Sequence, residues 1–220
     1  VLHYTNASLE RSLALLTHGE VSSHYLIGDG PATVYQLVDE NRRAWHAGDS
    51  QWQGRTWLNS SSIGIEIVNP GFTDTPNGRV WHPYSEAQVQ SLIALLKDIV
   101  KRNNIEPRHI IGHSDIAPSR KLDPGPLFPW KRLADAGLGI WPDANAVARQ
   151  QAYFSVNPPS IGWYQQELAR FGYQIEQTGV LDVATRHVIT AFQMRFRPQR
   201  FDGMPDAQTA AMLQVLNRMR

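Results

Sequence analysis

Residues 62–68 read Ser62-Ile63-Gly64-Ile65-Glu66-Ile67-Val68. Ile63, Ile65 and Ile67 alternate with Gly64 and Glu66, the period of a strand that buries one face. Such a strand needs a layer behind its isoleucines, and Ser85–Arg102 offers one. There Val89, Leu92, Ile93, Leu96 and Val100 recur at helical spacing behind the capping box Ser85-x-x-Gln88. Further out, Val1–Tyr4 reads as a strand and Ser8–Thr17 as a short helix stopped at Gly19. Val21–Ile27 and Thr33–Val38 flank Gly28-Asp29-Gly30 and read as a hairpin. His109–Gly112 reads as another short strand, entering a loop stiffened by Pro118, Pro124, Pro126 and Pro129. Short strands alternating with helices predict an α/β or α+β unit.

Past Leu133 the texture changes. Gly, Pro and small residues mark a connector, partly ordered, and from Ser160 only helical patterns remain: Ser160–Phe171, Asp182–Arg195 and Asp206–Met219. This half contains an internal echo. Gly179-x-x-Asp182-x-x-Thr185-x-x-x-Ile189 recurs as Gly203-x-x-Asp206-x-x-Thr209-x-x-x-Leu213. Each copy sets a glycine turn before an aspartate N-cap and a core-facing aliphatic one turn into a helix. The expected organisation is a catalytic-type unit over 1–140, a linker over 141–157 and a small all-α, three-helix unit over 158–220.

Composition removes several function classes. The 220 residues carry 21 Lys+Arg against 20 Asp+Glu, a formal charge of +1. That balance argues against nucleic acid or an anionic membrane as partner. No stretch approaches the ~18 apolar residues of a spanning helix. With no cysteine there is no thiol nucleophile, disulfide or thiolate-held metal, so any metal must be held by histidine and carboxylate.

Eight histidines are present, and each taken singly is more naturally structural or exposed than catalytic. Context raises two of them. His3 sits in an apolar strand, and His113 precedes Lys121 and Asp123 in the proline-stiffened loop. Two imidazoles and a carboxylate form an accepted zinc ligand set with a fourth position open, so a metal site and a set of unrelated histidines both remain open on spacing alone. A serine hydrolase is disfavoured. There is no Gly-x-Ser-x-Gly elbow, and Ser114 adjoins His113 in sequence. The zinc-peptidase signature His-Glu-x-x-His is missing too.

Five segments together carry a resemblance: Val-Leu-His3-Tyr-Thr, Ser23-His24-Tyr-Leu-Ile, Arg43-Ala-Trp45-His46-Ala-Gly, Ser62-Ile-Gly-Ile-Glu66 and Gly112-His113-Ser-Asp-Ile-Ala-Pro-x-Arg-Lys121-x-Asp123-Pro-Gly-Pro. In this order, over about residues 1–133, the chain resembles the zinc-dependent N-acetylmuramoyl-L-alanine amidases of the AmpD/AmiD type. The resemblance implies a mixed central sheet flanked by helices with zinc in a groove on one side. It further implies that His3, His113 and Asp123 bind one Zn2+, that Glu66 is the catalytic carboxylate and that Lys121 assists. Asp123 stands where phage lysozymes and animal recognition proteins of this superfamily typically have cysteine.

The chemistry agrees with those roles. Zinc lowers the pKa of water toward ~7 and polarises a carbonyl. Glu66, on the strand face opposite the isoleucines, is free to take a proton and pass it to the departing nitrogen. Gly64, on that same face, is expected to leave room for substrate, and Lys121 to stabilise a developing oxyanion. For His24, Trp45 and His46 two readings stay open: contacts to sugar or peptide along the groove, or buried histidines satisfied by backbone. Trp45, Trp52 and Trp57 cluster near one loop, and aromatic faces suit sugars, although tryptophans more often pack.

The last part resembles the three-helix peptidoglycan-binding module of cell-wall hydrolases through Gln165-x-x-Leu168-x-x-x-Gly172-Tyr173, Gly179-x-x-Asp182-x-x-Thr185 and Phe192-Gln193. A stabilising appendage is the plainer reading of the same residues. The expected function is hydrolysis of the amide between N-acetylmuramic acid and L-alanine, with peptidoglycan and muropeptides as partners. A non-catalytic recognition protein that keeps the groove is the alternative. The expected location is the periplasm of the bacterial cell envelope, with an outer-membrane anchor upstream of residue 1 as a variant.

Overall fold

The computed structural model describes residues 1–219. In chain order the elements are β1 (Leu2–Tyr4), α1 (Leu9–His18), β2 (Tyr25–Ile27), β3 (Val34–Gln36), α2 (Leu58–Ser61), β4 (Ile65–Ile67), β5 (Phe72–Thr75) and β6 (Gly78–Trp81). Then follow α3 (Glu86–Asn103), α4 (His113–Ile116), α5 (Trp130–Asp135), α6 (Ala144–Val156), α7 (Ile161–Phe171), α8 (Val183–Phe196) and α9 (Ala207–Arg218).

The four-stranded sheet runs β1-β4-β2-β3 and is mixed: β4 is parallel to β1 and β2, and β3 is antiparallel to β2. Alternation does in β4 what the sequence predicts. Ile65 and Ile67 are buried against α3 through Leu92, Leu96 and Ile99, joined by Leu2, Tyr25 and Ile27. Glu66 is left on the other face. Its register partner on β1 is His3, so the two side chains share a sheet face. α1 covers part of that face, where Leu16 meets Leu26 and Val68, and the remainder is groove. The helix starts follow their capping residues: Ser8, Ser85, Asp143, Ser160, Asp182 and Asp206 each accept a first-turn N–H.

Two expectations change. His109–Gly112 is not a strand. It contributes one bridge, Leu2 to Gly112, with Leu2 N–H donating to Ile111 O at 2.9 Å, because a 3-10 turn at Pro107–His109 and the start of α4 leave no room for more. The stretch 141–157, expected as a partly ordered linker, is a helix over most of its length. It folds as α6 along α9 and buries Val147 and Phe154 in the core of the helical half. Its alanines made the segment look featureless, yet they are good helix formers. The β5–β6 hairpin was not foreseen either. Its strands are mostly exposed and so carry no apolar alternation.

The internal echo has a polar cause. Gln165 is fully buried, accepts from Gly179 N–H at 2.8 Å and donates to Val180 O and to Thr185 Oγ1. Gln193 repeats the device, accepting from Gly203 N–H at 3.0 Å and donating to Met204 O and Thr209 Oγ1. Each glutamine staples a glycine turn to the start of the next helix. At Gly203 φ is +72°, and a Cβ would meet Arg186 O at 2.8 Å, so only glycine fits. Gln193→Leu keeps the volume but takes the acceptor from the buried Gly203 N–H, at about 1–3 kcal/mol when fully unsatisfied, and a donor from Met204 O, while Thr209 Oγ1 keeps its bond to Asp206. A fall in Tm of at least about 5 °C is expected by calorimetry; an unchanged Tm would count against the staple.

The two halves share one core. Trp52, Leu58, Ile111 and Ile116 pack with Phe171, Tyr173, Val188 and Phe192 in a continuous buried cluster. Trp52 makes edge contacts with Phe171 and Tyr173 at 5.9 and 5.1 Å, and Gln53 N–H donates to Gly172 O at 2.9 Å. The helical unit is therefore docked on the sheet unit and not merely tethered to it.

Candidate active site and metal centre

A groove of about 410 Å3 opens on the sheet face that carries His3 and Glu66, within the usual range for small-ligand sites. Its lining includes Trp45, His46, Phe72, His113, Lys121 and Asp123. A second cavity of about 350 Å3 lies between α3 and the 52–63 segment, is lined largely by aliphatics and contains none of the predicted site residues.

Three buried side chains converge in the groove. His3 Nδ1 and His113 Nδ1 are 2.9 Å apart, and each lies 3.0 Å from Asp123 Oδ2. β1 delivers His3. The single turn of α4 delivers His113, and the following loop folds back so that Ser114 N–H donates to Asp123 O at 2.8 Å, which brings Asp123 alongside.

Hydrogen bonding fixes which nitrogens are bare. His113 Nε2 faces Ala47 O at 3.1 Å; a carbonyl only accepts, so Nε2 holds the hydrogen and Nδ1 presents a lone pair. For His3 the chain of reasoning is longer. Ser62 donates to Leu58 O at 2.6 Å, so its oxygen accepts from His46 Nε2. His46 Nδ1 is then an acceptor for His3 Nε2–H at 3.2 Å, which leaves His3 Nδ1 bare. Burial, with His113 beside it, pushes His3 down to about 3, and burial pushes His46 well below its ordinary value, so both rings stay neutral. Burial alone would raise the Asp123 carboxyl, but His113 and His3 hold it below the usual carboxylate range.

In their neutral tautomers the two imidazoles turn lone pairs toward one another and toward the Asp123 oxygen. Such a set repels itself and fits a cation. Two imidazoles and a carboxylate match zinc, whose tetrahedral bonds of ~2.0–2.1 Å need only a few tenths of an ångström of opening between these atoms.

Glu66 shares the groove. The residue is half-buried, yet its Oε2 is buried and has no hydrogen-bond partner. Burial first, then the Asp123 charge, push its carboxyl well above the ordinary value, and Lys121 opposes them. An unpartnered buried carboxylate is costly unless something else uses it. Lys121 lines the groove two residues before Asp123.

The three further predicted residues part company. Trp45 is 50% exposed on the groove wall, with the Arg43 guanidinium over its ring at 4.3 Å. His46 lines the groove but is buried and is spent on His3 and Ser62. His24 is not among the groove-lining residues. It is buried, its Nδ1 accepts from Gly64 N–H at 3.0 Å and its Nε2 donates to Arg42 O at 2.9 Å, so the backbone consumes both nitrogens. Gly64 leaves room for His46 and not for substrate: a Cβ there would meet the His46 ring at 2.4 Å. Trp52 is a core residue, and Trp57 is 79% exposed outside the groove lining.

Two supporting residues were missed. Arg120 donates to Ala47 O at 2.7 Å and to Asp49 O at 3.0 Å, holding the carbonyl that sets the His113 tautomer. Asn59 Oδ1 accepts from the N–H groups of His46 and Ala47. Arg120 lies inside the 112–126 segment and was legible there, whereas nothing in the sequence marks Asn59.

Residues 1–126 match the N-acetylmuramoyl-L-alanine amidase family, and residues 157–213 match a family described as a candidate peptidoglycan binding domain. The chain is 44% identical over 226 residues to N-acetylmuramoyl-L-alanine amidase AmiD of Escherichia coli, an alignment covering 98% of this chain and 80% of AmiD. It is 44% identical over 121 residues to 1,6-anhydro-N-acetylmuramyl-L-alanine amidase AmpD of Enterobacter cloacae, covering 54% of this chain and 59% of AmpD. Among solved structures, E. coli AmiD in complex with its substrate anhydro-N-acetylmuramic acid-L-Ala-D-gamma-Glu-L-Lys superposes with a TM-score of 0.91 at 42% identity, covering 99% of this chain and 87% of that one. AmpDh3 of Pseudomonas aeruginosa superposes with a TM-score of 0.93 at 38% identity, covering 99% and 90%.

Proposed function

The chain belongs to the N-acetylmuramoyl-L-alanine amidase family, and from that premise we propose how its residues hydrolyse the amide between N-acetylmuramic acid and L-alanine. His3, His113 and Asp123 would hold one zinc ion through Nδ1, Nδ1 and Oδ2. Zinc bound there supplies Lewis acidity, polarising the scissile carbonyl and making water a competent nucleophile near neutral pH. The observation that carries this reading is the convergence of these three atoms in the same groove as an unpartnered Glu66 oxygen.

Glu66 then handles the proton. Its Oε2 accepts one from the attacking water and returns it to the amide nitrogen, turning a poor leaving group into an amine. Lys121 offsets negative charge as it develops on the carbonyl oxygen. Trp45 offers an exposed aromatic face to the C–H side of the sugar. His46 orients His3 and keeps its Nδ1 bare, and His24 supports Gly64, against which His46 packs.

The helical unit binds peptidoglycan in this reading and keeps polymeric substrate near the groove. We divide the chain at about residue 140, with α6 counted to the helical unit. Among the described residues no helix is long and apolar enough to cross a membrane. Because polymeric peptidoglycan lies in the bacterial cell envelope, we assign the enzyme to its periplasmic side.

Digestion of purified sacculi tests the bond assigned. Mass analysis is expected to find free peptides beginning with L-alanine and glycan chains of unchanged length; new reducing ends on the glycan would overturn the assignment.

A further inference from the structure

We infer that Tyr173 and Arg195, both in the helical unit, are positioning residues for the metal centre: they grip Asp115, which fixes the turn presenting His113. The inference rests on the zinc reading above and adds residues to it that no motif of the sheet unit contains.

α4 is only His113–Ile116, too short to hold itself in place. Its N-terminus follows Gly112, which has no side chain to cap it, and the cap comes from inside: Gly112 N–H donates to Asp115 Oδ2 at 2.8 Å. That carboxylate is in turn held from across the unit boundary. Tyr173 Oη donates to Asp115 Oδ1 at 2.5 Å, and Arg195 Nη1 donates to Oδ2 at 2.7 Å. Arg195 Nη2 donates to Ile110 O at 3.0 Å, and its guanidinium lies over the Trp130 ring at 4.4 Å. Arg195 therefore clasps segment 110–115 at both ends, with His113 between its two contacts.

The same segment touches the other imidazole ligand's strand. Ile111 O accepts from Leu2 N–H at 2.9 Å, beside His3. A shift of the segment would move His113 and disturb β1 together, and ligand sets tolerate only a few tenths of an ångström.

Stability is a poor explanation for this cluster. The Arg195 and Asp115 side chains are 3% and 1% exposed, and Arg195 Nε is buried with no partner. Desolvating such a pair consumes most of what its attraction returns, and apolar replacements often serve as well. What the pair does provide is a unique position for one turn of backbone.

The experiment uses the full chain loaded with zinc. Tyr173→Phe keeps the ring against Trp52 and Phe171 but removes the hydroxyl. Arg195→Lys keeps the charge but not the two-ended clasp. Asp182→Ala, a lost N-cap at the end of α8 opposite Arg195 and outside the groove lining, serves as a control for general destabilisation. Zinc affinity is read by competition with a chromophoric chelator, and site geometry by the visible spectrum of the cobalt-substituted protein. Tyr173→Phe and Arg195→Lys are expected to weaken zinc about 10-fold and to alter the cobalt bands, while Asp182→Ala changes neither at a comparable loss of Tm. Wild-type affinity and spectrum in Tyr173→Phe would overturn the inference even if Arg195→Lys failed to fold, and so would an equal loss in Asp182→Ala. If the unaltered chain took up no zinc, the zinc reading itself would fall, a result distinct from either.

Discussion

Glu66→Gln is expected to lower turnover by about 10²–10⁴-fold, the span of general acid–base catalysis, while zinc stays bound and the fold holds. The carboxamide is nearly isosteric but cannot accept and release a proton. Because Glu66 Oε2 has no hydrogen-bond partner, no contact of the fold depends on it. Because burial and the Asp123 charge both disfavour its ionised form, a neutral side chain relieves a penalty, so Tm should stay level or rise. That combination separates a proton carrier from a structural residue, whose loss would reduce activity and stability together. The check is kcat from release of L-alanine-terminated peptides, beside zinc content and Tm. A rate within about 10-fold of the parent would remove Glu66 from its role.

Much of this site was legible because its chemistry is local in sequence. The alternation in 62–68 put Glu66 on the open face, and the 112–126 segment carried the candidate ligands His113 and Asp123 together with Lys121. The strand pairing that sets His3 opposite Glu66 was not legible, since register is a contact between distant segments. Gly64 shows the limit most clearly. Its small size signalled that something comes close, but the sequence could not say that the neighbour is the His46 ring rather than substrate. For His24 the two readings could not be separated for a related reason: a histidine in a motif looks functional until both nitrogens are traced to backbone. The role of α6 was hidden because its burial pattern is sparse, with Val147 and Phe154 as its buried residues, and a helix joined to the core by so few side chains gives weak periodicity. Nothing in the sequence ties Tyr173 and Arg195, both in the helical unit, to Asp115. Only docking turns them toward Asp115.

Asp123→Asn is expected to abolish turnover and to lower zinc affinity more than about 100-fold, beyond the loss of an outer-sphere partner. In the parent without metal, two bare imidazole nitrogens and a carboxylate face each other at 2.9–3.0 Å, so chelation should lower Tm and zinc should restore it. A ligand at 1,000 times its Kd contributes about 4 kcal/mol of stability. An asparagine amide at the same position keeps the shape but offers no anionic oxygen, so the charge that draws a cation to the two imidazole nitrogens, each 3.0 Å from that oxygen, is gone. The surrounding turn survives, because Ser114 N–H bonds the Asp123 main-chain carbonyl, which any residue supplies. Zinc titration of both proteins, with Tm followed as metal is added, decides the matter: an Asp123→Asn protein that keeps parental zinc affinity and the parental gain in Tm on zinc addition would mean that Asp123 is not a ligand of the metal.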